Sequence, residues 1–235
     1  MSGTVRRVGV LAPMPSELAP VVKTMRLTRS ATSEPEVHVG TVGAVDVIAM
    51  RTGMGLALAT RATTDLLDTF DVDHVLVVGI AGGIGDARVG DVLRPAAVVD
   101  RSSGTRYDAT ALDGDLDGVV SCSDEFLVDP ERVAALVADG VRALDMETSA
   151  VAAVCVARSV PWSAVRVISD LSSDHPDASV LDLAHPDGTP NTRAAIPFLL
   201  RNPKRSPGLV RLGRDSMRAA RSAAAEAHRQ LQAVR

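Results

Sequence analysis

His74-Val75-Leu76-Val77-Val78 runs without a break into Gly79-Ile80-Ala81-Gly82-Gly83, and the reading of this stretch decides the fold. The apolar run after His74 does not alternate with polar residues, so both of its faces expect cover. That is the pattern of an interior strand with helices on either side. The glycines that follow admit two readings. They let a ligand approach the backbone and free its N–H groups for hydrogen bonding, or they make a tight turn.

Working outward from this stretch, Val5–Leu11 reads as a strand, and Pro13 and Pro15 mark the turn after it. Ser16 is a candidate cap for a helix that begins near Glu17 and covers Leu18–Met25. Val37–Gly40 and Val45–Met50 read as a hairpin around Gly43. Gly53-Met54-Gly55 then leads into an Ala/Leu helix from Leu56 to about Phe70. On the far side, Val89–Val99 reads as a strand broken by Pro95, and residues 100–118, rich in Asp and Gly, as a loop. Val119–Ser121 is a short strand and Glu131–Ala138 a short helix. Ala143–Met146 leads into a helix over Thr148–Arg158, and Ala164–Ile168 is a strand ending at Ser169-Asp170. Residues 172–213 read as irregular. Residues 214–235 form a last helix, with Met217, Ala220, Ala224, Ala227, Leu231 and Val234 on one face at intervals of three and four. The expectation is a single three-layer α/β/α domain, 1–235, with a central mixed sheet.

Composition agrees. Hydrophobic residues make up 46% of the 235, which specifies a packed globule. A net charge of −4 does not suggest nucleic acid as a partner. Cys122 and Cys155 stand in no metal-ligand spacing and read as small core residues, which suits a reducing compartment and the cytoplasm. The N-terminus lacks a secretory apolar run, and no stretch is apolar for long enough to span a membrane. Between Arg201 and Arg235, nine Lys/Arg face two Asp/Glu. Such a run reads either as a solvated helix face or as a basic surface for peripheral contact with an anionic membrane or a bulky substrate.

In open α/β sheets, ligands gather beyond the carboxyl ends of strands. Four such ends carry polar or glycine-rich signals here: Pro13–Glu17, Gly53–Gly55, Gly79–Gly83 and Ser169-Asp170. Glu17, Asp145, Glu147 and Asp170 can each be read as an acid at a helix start. Arg166 is odder, an ionised group inside an apolar strand, and it requires a buried carboxylate partner.

The ordered set Pro13-Met14-Pro15-Ser16-Glu17-Leu18, Gly53-Met54-Gly55, Gly79–Gly83, Val89-Gly90-Asp91, Asp145-Met146-Glu147-Thr148-Ser149-Ala150 and Val165-Arg166-Val167-Ile168-Ser169-Asp170 resembles the nucleoside phosphorylase/nucleosidase superfamily. Its nearest likeness is to the methylthioadenosine/S-adenosylhomocysteine nucleosidases. The resemblance implies cleavage of the N-glycosidic bond of a purine (adenine) nucleoside, with no metal and no organic cofactor. Asp170 would protonate N7 of the leaving base, and Glu147 would bind the ribose hydroxyls with Met146 packed on the sugar. Glu17 and Arg166 would line the place where water or phosphate attacks. Phe126 would stack on the base while the Leu127 backbone bonds its edge, and Ile80, Ala81 and Gly82 would border the substrate. The chemistry suits those roles. An oxocarbenium-like state is favoured by a facing carboxylate, and a purine leaves more readily once it is protonated. The resemblance also implies a homodimer.

The sequence departs from the pattern at several points. Ile80 stands where the nucleosidases have Ser, and Val77 where phosphorolytic relatives often have Arg, so hydrolysis is expected over phosphorolysis. The segment between Asp100 and Val119 is short, and the C-terminal part is long and basic. These two features keep open a phosphorolytic reading like that of the hopanoid-associated phosphorylases, and a non-catalytic nucleoside-binding protein as a further alternative. His175 and His185, each followed by Pro, read as loop surface residues or as acid–base groups near the site.

Overall fold

A computed structural model describes residues 5–31, 36–125, 127, 129–172, 185, 189 and 206–234. The strands are β1 (Arg7–Ala12), β2 (Thr28–Arg29), β3 (His38–Val42), β4 (Val45–Arg51), β5 (His74–Gly83), β6 (Val92–Leu93), β7 (Ala97–Asp100), β8 (Arg106–Asp108), β9 (Val119–Cys122), β10 (Val141–Asp145) and β11 (Trp162–Leu171). The helices among the described residues are α1 (Pro15–Met25), α2 (Leu56–Thr69), α3 (Pro130–Ala138), α4 (Thr148–Ala157) and α5 (Ser206–Ala233).

All the strands join one mixed sheet in the order β2-β3-β4-β1-β5-β10-β9-β7-β8, with β11 on β5 and β6 on β11. β5 organises it. The start of β5 lies parallel to β1, from Val8 opposite His74 to Leu11 opposite Val77. Its last two residues, Gly82 and Gly83, pair antiparallel with β10, while β11 runs parallel along its other edge. The run of residues buried on both faces follows from this central place. α1 and α5 cover one face, where Val21, Met25, Ala223, Ala227 and Leu231 join Val10, Val78 and Val167. α2 and α4 cover the other, where Ala59, Leu66, Val151 and Cys155 join Val77, Val98 and Ile168.

The glycines do not turn the chain. β5 continues through Gly83, and Gly79, Gly82 and Gly83 are not among the residues with positive φ. Gly79 and Gly83 are required by close approach instead, whereas a Cβ on Gly82 would meet no atom nearer than 3.8 Å. A Cβ on Gly83 would lie 2.8 Å from Ile168 Cγ2, and one on Gly79 would lie 2.6 Å from Arg166 Nη1. Three other expectations are corrected. α1 begins at Pro15 with Met14 as its cap, because Pro suits the first helical position and Glu17 reaches back to the Met14 N–H. The segment 100–118 contains β8, whose Tyr107 pairs with Val98. α5 starts at Ser206, ahead of Arg214, and the face from Ala220 to Leu231 is buried while Met217 is exposed. Both cysteines are free and buried, as the sequence suggests. No described helix is long and apolar enough to cross a membrane.

Candidate active site

The carboxyl ends of β1, β5, β10 and β11 open onto a cavity of about 350 Å³, bordered by Glu17, Ile80, Met146, Glu147 and Asp170 among others. This is within the usual size of a small-molecule site. Each acid arrives by a different local device.

Asp170 is placed by a bulge. Ile168 pairs with Ala81 and Asp170 with Gly82, so Ser169 is the extra residue on β11. A bulge re-aims the side chain that follows it. Asp170 borders the cavity, half-buried, and its Oδ1 accepts a short hydrogen bond from the Ser169 hydroxyl.

Glu17 sits in the first turn of α1 and is buried. One carboxyl oxygen accepts from Ile80 N at 2.8 Å and the other from Met14 N at 2.8 Å. Burial pushes its pKa up from 4.5 to about 7, against the lowering pull of Arg166 and of the two backbone donors. Glu147 precedes α4, and its Oε1 accepts from Gly55 N at 3.0 Å. Burial raises its pKa as well, again opposed by Arg166.

Arg166 has no solvent exposure and lies behind the cavity wall rather than on it. Its ion-pair partner is Asp145, with Nη2 to Oδ2 at 2.7 Å, and Glu147 Oε2 stands at 3.6 Å. Nε and Nη2 donate to Thr148 Oγ1 at 3.2 and 2.8 Å, and Nη1 donates to the Ile80 carbonyl at 3.4 Å. The Arg166 guanidinium and the Glu17 carboxyl meet over Gly79. A Cβ there would overlap Glu17 Oε1 and crowd Arg166 Nη1, and this is the close approach that glycine permits. The two are electrostatic neighbours without forming the primary ion pair.

The structure therefore brings together Glu17, Glu147, Asp170, Met146, Ile80, Ala81, Gly82 and Leu127 around one cavity. Arg166 supports them from behind. Phe126 lies outside the described residues, as does His175, and His185 is exposed. Sequence reasoning missed Asp145 as the partner of Arg166, although the demand for a buried carboxylate was legible. It also missed Arg101, Leu212 and Ser216 as cavity residues. The last two lie on the part of α5 that periodicity assigns to irregular chain or to the exposed face, and no local signal marks them. Among the described residues, no cluster of three or more His, Cys, Asp or Glu is arranged to hold a metal ion.

The family model described as the phosphorylase superfamily matches residues 7–114 and 116–193. A 5′-methylthioadenosine/S-adenosylhomocysteine nucleosidase of Shewanella piezotolerans is 26% identical over 201 residues, covering 72% of this chain and 87% of the relative. In fold, the chain resembles the S-adenosylhomocysteine nucleosidase of Streptococcus pyogenes solved with 5-methylthiotubericidin, with a TM-score of 0.75 at 16% identity, covering 100% of this chain and 99% of that one. It also resembles the futalosine hydrolase of Helicobacter pylori, with a TM-score of 0.71 at 20% identity, covering 97% of each chain.

Proposed function

The chain belongs to the phosphorylase superfamily, and from its site we propose that it hydrolyses the N-glycosidic bond of an adenine nucleoside carrying a 5′ substituent. The observation that carries this reading is the grouping of Asp170, Glu147 and Glu17 around one nucleoside-sized cavity. In this reading Asp170, aimed by the bulge, gives a proton to N7 of the base, and Glu147 holds the ribose hydroxyls. As the bond lengthens, positive charge grows on the sugar, and the ionised Glu147 favours it. Met146 packs on the ribose, and the Leu127 backbone reads the base edge. Glu17 accepts a hydrogen bond from the attacking water. Relatives named for methylthioadenosine and S-adenosylhomocysteine support the substrate class.

Water is favoured over phosphate by charge. Phosphate carries about two negative charges and needs fixed cations or several free backbone donors. Arg166 is already surrounded by Asp145, Glu147 and Glu17. Arg101 is one cation on the cavity wall, and it donates Nη2 to the carbonyl of Glu125. The Ile80 N–H is taken by Glu17, and the Ile80 side chain offers no hydroxyl. We place the enzyme in the cytoplasm as a homodimer. Its free, buried cysteines support a reducing compartment, and light scattering tests the mass.

The test is incubation with methylthioadenosine, S-adenosylhomocysteine and futalosine, with and without phosphate, followed by chromatography of the free base and sugar. Release of adenine and free sugar in phosphate-free buffer is expected. Turnover that requires phosphate and yields a ribose 1-phosphate overturns hydrolysis. No base released from any of the nucleosides overturns the enzyme reading.

A further inference from the structure

Thr148 is the first residue of α4, has no solvent exposure and does not border the cavity, yet it touches the charged cluster more closely than either cavity glutamate does. Its Oγ1 lies within hydrogen-bond distance of Arg166 Nε at 3.2 Å, of Arg166 Nη2 at 2.8 Å, and of Asp145 Oδ2 at a shorter separation. The direction of each bond is fixed by chemistry. Guanidinium only donates, so the hydroxyl accepts from Arg166. An ionised carboxylate only accepts, so the single hydroxyl proton goes to Asp145. The Thr148 N–H also points at Asp145 Oδ1, at 3.4 Å. The Nε–Nη2 edge of Arg166 is thus shared between a hydroxyl and one carboxylate oxygen. The remaining Nη1 is directed at the Ile80 carbonyl and at the position over Gly79 that Glu17 Oε1 also crowds.

We propose that Thr148 is a positioning residue of the reaction: its hydroxyl, oriented by Asp145, holds Arg166 Nε, limits the pair with that carboxylate to the Nη2 contact and so keeps Nη1 beside Glu17. This rests on the role given above to Glu17. Without the hydroxyl, Nε loses its acceptor while Nη2 keeps Asp145, and the guanidinium regains an acceptor for Nε by turning onto Asp145 as a bidentate pair, the favoured geometry of Arg with carboxylate. That movement draws the guanidinium away from Glu17. The charged and titratable groups facing the cluster are Asp145 on β10, Glu147 before α4, Glu17 on α1, Arg166 on β11 and Cys122 on β9. Arg166 is the only cation among them, so its withdrawal makes Glu17 harder to ionise.

The experiment compares Thr148→Val, which keeps the shape and removes the hydroxyl, with Thr148→Ser, which keeps the hydroxyl. The titration of Glu17 is followed by carbon-13 NMR of labelled glutamate carboxyls, assigned with Glu17→Gln, and needs no substrate. The kcat/KM profile against pH is measured alongside on methylthioadenosine. In Thr148→Val the Glu17 midpoint is expected to rise by about half a unit to one unit, a fraction of the shift that a full opposite charge gives. The acidic limb of the profile moves the same way, and Thr148→Ser restores both. A folded Thr148→Val with an unmoved Glu17 midpoint overturns the proposal, and so does a Thr148→Ser that shifts as far as Val. If Val does not fold, Thr148→Ala is read by the same titration, with the same two outcomes. A wild-type protein that cleaves no nucleoside defeats the functional reading, while the titration still judges the positioning of Arg166.

Discussion

Replacing Asp145 by Asn should destabilise the protein, and the cost should shrink as pH rises. Arg166 is fully buried, with Asp145 at 2.7 Å as its close ionic partner. Glu17 is held neutral until about pH 7, and Glu147 is raised in the same direction, both by burial. Near pH 5, therefore, the Asp145→Asn variant would leave the guanidinium without an ionised partner. Removing one partner of a buried pair costs about 3–5 kcal/mol. With a urea slope of about 2 kcal/mol/M, the unfolding midpoint drops by roughly 1.5–2.5 M. Above pH 8 the position changes, because both glutamates can ionise and Glu147 Oε2 already stands 3.6 Å from Arg166. The sign of the wild-type dependence follows from linkage. Glu17 is raised from 4.5 to about 7 in the fold, so the native state holds a proton that the unfolded chain has released between those values. The associated stability, on the order of 3 kcal/mol, is complete below the unfolded value and lost as pH rises through 7. Asp145 is one of the charges that raise both glutamates, so its removal lowers them and less stability is lost on going to high pH. The difference between wild type and variant should fall by about 1–2 kcal/mol between about pH 5 and pH 9. Urea denaturation followed by circular dichroism at both pH values measures it. A cost that stays constant or grows with pH would refute the account of a single buried cation shared among three carboxylates.

Asp170→Asn should reduce kcat by about 10²–10⁴-fold, the usual worth of a general acid, with an unchanged melting temperature; near-normal turnover by the folded variant removes Asp170 from the chemistry. Glu17 must be ionised to orient water and Glu147 to favour the charge on the sugar, and burial raises both, so kcat/KM should fall by at least about tenfold per pH unit below about 7. A profile that stays flat down to about pH 5 contradicts that role. Gly79→Ala places a methyl group against Glu17 Oε1 and Arg166 Nη1. It should cost about 1–3 kcal/mol by overpacking and should lower activity more than it lowers the melting temperature, while Gly83→Ala, which meets only apolar atoms, should affect mainly stability.

The order of strands and helices was legible because their periods differ and because β5 is apolar on both faces. What the sequence hid was the reason for its glycines. A glycine run after a strand looks the same whether the chain turns or another side chain approaches, and only the three-dimensional path of Glu17 and Arg166 across Gly79 separates the two cases. Arg166 shows the same limit. A guanidinium in an apolar strand demands a carboxylate, and that much can be read from β11 alone. Which carboxylate meets it depends on how β10 and β11 are placed on β5, a contact between strands that do not pair with each other. The sequence places Glu17 and Arg166 together where water attacks, and the two do meet over Gly79, but the Glu17 carboxyl oxygens also accept from the N–H groups of Ile80 and Met14. Asp145, on the strand that pairs with the last two glycines of β5, takes the ionic contact instead. That division has a chemical consequence. Had Glu17 been bonded tightly to Arg166, its carboxylate would be strongly stabilised and a weak acceptor for water. Because Asp145 and Thr148 occupy one edge of the guanidinium, Glu17 feels the cation without being neutralised by it, and burial keeps its proton equilibrium near neutrality, where an acceptor for a reacting water is most effective.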